Sequence, residues 1–171
     1  SNYQYFKNVQ FDFGLINDFT AENLGEIFKL RNWVLPHQNA IYVRTFQFGF
    51  ISVKFKWDSF VEILNQSNLV ISMAGTAAEQ AIGCSKPVIQ IEGDGPQFTK
   101  NFADAQRRLL GKYVFCATKY KNKKDKIKKT VDLIIKIIYL MKLDSKFLID
   151  CQENSLKRIG PDGACTKLVE E

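Results

Sequence analysis

The chain has 171 residues, 46% of them hydrophobic and 25% charged. That is enough for a sizeable core without disulfide staples, and it excludes a disordered chain or a disulfide-dependent miniprotein. The net charge of +6 is local. Lys119 to Lys129 holds seven lysines and one aspartate, and the other 17 basic and 17 acidic residues cancel. No uniformly basic surface remains for tracking nucleic acid, so no nucleic-acid partner is expected.

Residues 1–17 are aromatic-rich and carry no assignable pattern. Thr20-Ala21-Glu22 opens a helix with Leu24, Ile27, Phe28 and Arg31, capped by Asp18 or Thr20. Trp33-Val34-Leu35 before Pro36 reads as a short strand or turn. Ile41 to Phe46 and Phe50 to Phe55 are rich in β-branched and aromatic residues, and both are predicted strands. Asp58 is the predicted cap of a helix carrying Phe60, Val61, Ile63 and Leu64.

Asn68 to Ser72 is a continuous apolar run, as a buried parallel strand requires. After the small-residue turn Ala74-Gly75-Thr76, a helix is predicted over Ala77 to Ile82, closed by Gly83. Lys86 to Ile91 is a second buried strand with Pro87 at its start. Glu92 to Pro96 is a loop, Gln97 to Leu110 a helix ended by Gly111, and Tyr113 to Cys116 a third strand. Lys123 to Leu143 is a long helix, with Ile127, Val131, Ile134, Ile138 and Met141 on one face. Lys146 to Arg158 is another helix, and Ala164 to Glu171 a last short one after the Gly160-Pro161-Asp162-Gly163 break. Alternating strands and helices predict an α/β fold: one Rossmann-like domain over 1–171, its parallel sheet spanning residues 40–170 and covered by helices, with C-terminal helices over 144–171.

Cys84, Cys116, Cys151 and Cys165 match no paired zinc spacing, and His37 is the lone histidine. No metal site is expected; the cysteines read as buried, reduced thiols. The longest apolar stretch, Val131 to Leu143, is broken by Asp132, Lys136 and Lys142, so no transmembrane helix is expected. No secretory signal pattern is visible, which points to the cytoplasm. The lysine cluster is either a solvated helix start or a peripheral contact with an anionic inner membrane face.

The chemistry concentrates at Ser72-Met-Ala-Gly-Thr76-Ala-Ala-Glu79. A buried strand running through small residues into a helix presents free N–H groups and a positive dipole end to an anion. Gly75 permits close approach, Thr76 offers a hydroxyl, and Glu79, one turn on, can accept two ribose hydroxyls. Gln97 and Asn101, four apart, can reach the same ligand. The competing reading is a plain turn, with Glu79 stabilised by the helix dipole, Gln97 a cap and Asn101 solvated.

The run Ser72 to Gly83, then Lys86-Pro-Val-Ile, then Gly95-Pro-Gln97 with Asn101 and Ala103, resembles the donor-nucleotide region of GT-B glycosyltransferases. More narrowly, Met73-Ala-Gly-Thr-Ala-Ala-Glu-Gln80, Gly95-Pro-Gln-Phe-Thr99 and Phe102-Ala-Asp-Ala-Gln106 resemble lipid-A-disaccharide synthase-related proteins of the cyanobacterial kind. Arg158 to Ala164 resembles the closing segment of that group. The resemblance implies half of a two-domain architecture, with the N-terminal acceptor domain absent from this chain. It implies a hexosyltransferase that moves a sugar from a nucleoside diphosphate sugar, foremost a UDP-sugar, to a hydroxyl acceptor such as a lipid-linked sugar. No cofactor beyond that donor is implied. Ser72 would match a small polar residue ending the family strand, and Gly75 and Thr76 would face the diphosphate. Glu79 would bind the ribose, and Gln97 and Asn101 the sugar. The catalytic base is not identifiable; His37 lies outside the motif. A nucleotide-sugar 2-epimerase shares the architecture, although that group carries a paired glycine turn and a Glu-Glu pair where this chain has Ala74-Gly75 and Glu79-Gln80. A non-catalytic nucleotide-sugar-binding module is the third reading.

Overall fold

The computed structural model describes residues 9–15, 20, 23, 24, 26, 43–48, 51–91, 99–116 and 122–161, with only the backbone of 43–48, 51 and 52. The chain divides into two compact units, Ser1–Gln66 and Ser67–Glu171. Both are α/β.

The first unit contains β1 (Gln10–Leu15), β2 (Val43–Phe48), β3 (Ile51–Trp57) and helix α1 (Phe60–Gln66). The sheet order is β1-β3-β2, with β1 parallel and β2 antiparallel to β3. This corrects the expectation that both strands of residues 41–55 belong to the parallel sheet. A parallel pairing needs a crossover of a dozen or more residues, whereas the two residues between β2 and β3 suit only a hairpin. Strand β1 falls in the stretch that the sequence left unassigned.

Strand alternation sorts the two faces of this sheet. Val53 and Phe55 are buried with Leu24, and Phe11, Leu15 and Trp57 pack against them. Phe13 stacks on its register partner Phe55, ring centroids 5.0 Å apart. The predicted cap at Thr20 is present: its Oγ1 accepts from Asn23 N at 3.2 Å. The other face carries Asp12 and Lys56. Lys56 Nζ reaches Asp12 Oδ2 at 3.4 Å and Glu62 Oε1 of α1 at 2.9 Å. The α1 cap differs from the expected Asp58. Ser59 O accepts from Ile63 N, which puts Ser59 at the cap, while Asp58 takes a left-handed φ of 51°.

In the second unit, β4 (Val70–Ser72), β5 (Val88–Gln90) and β6 (Val114–Cys116) form a parallel sheet in consecutive order. Helix α2 (Gly75–Gly83) joins β4 to β5, and α3 (Lys100–Leu110) joins β5 to β6. Helices α4 (Lys123–Leu143) and α5 (Ser145–Arg158) follow. Val88 and Ile89 point to opposite faces of β5 and both are fully buried, so helices cover the sheet on both sides. Helix α4 has the bounds that its periodicity predicts, but only Ile134, Ile137 and Ile138 are buried. Ile127, expected on the inner face, is exposed.

Helix α2 starts two residues before its predicted onset and runs through Gly83. Ser85, not Gly83, makes the left-handed stop, with φ 59°. Lys86 N bonds to Ala81 O and Ser85 N to Ile82 O, the paired bonds of a Schellman turn. The last helix clasps the ends of the two sheet-connecting helices. Ser155 Oγ donates to Gly83 O and Asn154 Nδ2 to Leu110 O, each at 2.9 Å. Carbonyls that helix ends leave without intrahelical partners are thereby satisfied. The segments around Trp33 and after Gly163, including the predicted last helix, lie outside the described residues.

Candidate functional site

The three parallel strands end in one register row, Ser72–Gln90–Cys116. Helices α2 and α3 both start at this carboxyl edge, where open α/β sheets generally take their ligands. Ser72 is buried and its Oγ serves the turn: it accepts from Ala74 N at 3.1 Å and donates to Ala74 O at 2.8 Å. Its work is to shape the chain into α2.

The N-cap of α2 is Ala74, in an extended conformation and with no side-chain acceptor. The first intrahelical bond shown there is Ala78 N to Ala74 O. The amides of Gly75, Thr76 and Ala77 thus begin a helix whose cap residue cannot accept from them. Thr76 is exposed at the second helical position. Glu79 follows one turn later, half-buried, with no ion pair or hydrogen bond among the described residues. Spacings of three and four place Thr76 and Glu79, and Gly75 and Glu79, on one side of α2.

Gly75 has a second role. A Cβ there would lie 3.0 Å from Phe102 Cζ and 3.2 Å from Gln106 Nε2. The glycine lets the start of α2 fit against α3, so a valine there would disturb helix packing before any ligand approached.

Asn101 is exposed at the second position of α3. The cap of α3 is Thr99, whose Oγ1 accepts from Phe102 N at 3.3 Å. Gln97 therefore precedes the cap and the helix, and it falls outside the described residues, as does the loop 92–98. Sequence placed Gln97 and Asn101 on one helical face; the helix does not reach back that far.

Two residues at this edge were not singled out from sequence. Gln90, 3% exposed, ends the central strand, and neither amide atom has a hydrogen-bond partner among the described residues. As parallel register partners, Ser72 and Gln90 project from the same face. Gln106, 8% exposed, sets its amide beside Gly75, and its Oε1 is unpartnered among the described residues. A glutamine inside the apolar run Val88-Ile-Gln-Ile91 is the signal that could have found Gln90. Buried amides are normally paired, and polar groups left over cluster where a ligand or water completes them.

The cysteines differ from the buried set that was expected. Cys151 is buried, Cys116 intermediate and Cys84 exposed, and Cys165 lies outside the described residues. Burial, and secondarily the Asp150 carboxylate, pushes the Cys151 thiol up to about 11. Among the described residues no group of three or more His, Cys, Asp or Glu side chains could hold a metal ion. None of the helices described there is long and apolar enough to cross a membrane. No family model, no curated protein and no solved structure matches the chain.

Proposed function

We propose that the second unit is the donor-binding half of a GT-B glycosyltransferase that moves a sugar from a nucleoside diphosphate sugar to a hydroxyl acceptor. The observation that carries this reading is the start of α2 at the carboxyl edge of a parallel sheet, with a cap residue unable to accept from its first amides. A diphosphate supplies the missing acceptors, and the helix dipole favours its charge. As the sugar leaves, negative charge grows on that diphosphate, and the same amides oppose it without reorganising. Glu79, unpaired among the described residues and one turn along the helix, takes the ribose hydroxyls. Asn101 and Gln97 address the sugar. The acceptor and its base belong to a facing domain.

The test is calorimetric titration of the protein with UDP-, GDP- and ADP-sugars, the UDP-sugar being the expected ligand. Glu79→Ala weakens donor binding by about 1–3 kcal/mol, the usual effect of removing a charged hydrogen-bond partner. Lys124→Ala leaves it unchanged, because that exposed side chain lies in the lysine cluster. Equal affinity in the two variants refutes the ribose role of Glu79, and absence of binding by every nucleotide sugar refutes the donor-site reading.

A further inference from the structure

At the far end of α3, away from the donor edge, Asp104, Arg107, Arg108, Gly111, Lys112 and Arg158 line an open cleft of about 570 Å³. Four cations face one carboxylate. The spacing 104, 107, 108, 111 is a single stripe along α3 continued into its stop. Arg158 comes from the last turn of α5.

The cleft is fixed from beneath. Gly111 is buried with φ 94°, and a Cβ there would collide with Asn154 Oδ1 and lie 3.2 Å from Arg158 Nε. Glycine is therefore required at the floor on both conformational and spatial grounds. Along α5, Asp150, Asn154 and Arg158 recur every fourth residue and join the end of α3 in order. Asp150 pairs with Lys112 at 3.5 Å, Asn154 bonds Leu110 O, and Arg158 Nη1 donates to Arg108 O at 3.4 Å.

The guanidiniums themselves are left over. Asp104 stands three and four residues before Arg107 and Arg108, the spacing at which helical ion pairs form, yet neither pair is made. Arg107 and Arg108 make no side-chain hydrogen bond or ion pair among the described residues, and Arg158 bonds only a carbonyl. The carboxyl ends of α3 and α5 favour a cation at each position separately. They do not remove the repulsion among the three guanidiniums around one opening, where only the Lys112 ammonium has a carboxylate, Asp150, beside it. A multiply charged anion does, and guanidinium geometry suits phosphate oxygens in pairs.

We propose that this cleft is a second anion site that takes a phosphate-bearing ligand, either a free phosphate compound or a phospholipid headgroup, independently of the donor edge. Inorganic pyrophosphate titrated calorimetrically probes the first source. Cosedimentation with phosphatidylcholine vesicles, with and without phosphatidic acid, probes the second. The full chain binds one of these probes, and the triple variant R107Q/R108Q/R158Q loses affinity by about tenfold or more, as removal of charge-assisted hydrogen bonds requires. The variant K123Q/K124Q/K126Q removes the same charge from α4 and loses less than about twofold if the cleft, and not net charge, is responsible. Should the triple variant fail to fold, R107Q alone, at an exposed side chain without a partner, reads the same loss on a smaller scale. Pyrophosphate binding alone assigns a free ligand; vesicle binding alone assigns a headgroup. Equal losses in the two triple variants, undiminished binding in the arginine variant, or no binding of either probe by the unaltered chain overturns the proposal.

Discussion

Two left-handed stops show how much one Cβ can decide. Ser85 and Gly111 both have positive φ, at 59° and 94°, and both end a sheet-connecting helix. At Ser85 the conformation is the common left-handed one, which a side chain occupies at a modest cost. Ser85→Gly is expected to stabilise the chain by about 0.5 kcal/mol, relief of that strain exceeding the added flexibility of the unfolded state. At Gly111 the angle is wider and the space is filled by Asn154, so Gly111→Ala is expected to destabilise by about 2–4 kcal/mol. Urea unfolding of the two variants measures both values. Cysteine chemistry divides by position in the same way. At pH 8 a thiol reagent modifies exposed Cys84 promptly, while Cys151, buried and raised to about 11, reacts only as the unit opens. Timed alkylation with mass-spectrometric mapping separates them. Sequence offered no means of ranking these thiols, because burial of a cysteine depends on which helix face is covered.

At the scale of elements, the first sheet depends on a cation placed between two carboxylates. The Glu62 hydrogen bond raises the Lys56 pKa above its ordinary 10.5, with Asp12 adding to it and burial opposing it. A raised folded value means that the contribution is complete below about pH 10.5 and is lost as pH climbs through the folded pKa. Stability of the first unit is thus expected to fall in that alkaline window, and Lys56→Gln is expected to flatten the fall. Denaturant midpoints across pH 9 to 12 check this. Elements were legible where one periodicity ran for several turns. The bounds of α4 follow from its apolar spacing, and the Val70, Val88 and Val114 strands follow from short apolar runs between helices. Strand β1 was not legible, because Gln10-Phe-Asp-Phe-Gly-Leu15 mixes polar and aromatic residues that become a pattern only beside β3. At the carboxyl edge of the parallel sheet, Gly75, Thr76 and Glu79 were readable from a strand running into a helix. Gln90 and Gln106 were not, since an amide declares itself only when its surroundings leave it unpaired.

Over the whole molecule, the sheet of the second unit is, among the described residues, a row of three parallel strands in consecutive order, without the reversal that creates a crevice in doubly wound folds. A ligand on its carboxyl edge has one wall from this row, and the donor-half reading takes the other from a facing domain. On the donor-half reading, the 171-residue chain alone is expected to show no sugar transfer. A single wall neither excludes water nor supplies the base. Product detection after incubation with a UDP-sugar and a lipid-linked acceptor tests this, and measurable turnover contradicts it. The clasp made by α5 also bears on the timing of synthesis. Ser155 and Asn154 close carbonyls that emerged some 72 and 44 residues earlier in the chain. While α5 is still inside the ribosome, the Gly83 and Leu110 carbonyls lack these partners and are left to water. The sheet unit is therefore expected to complete only after residue 158 has cleared the exit tunnel, leaving its nascent form until then open to the contacts that incomplete domains make.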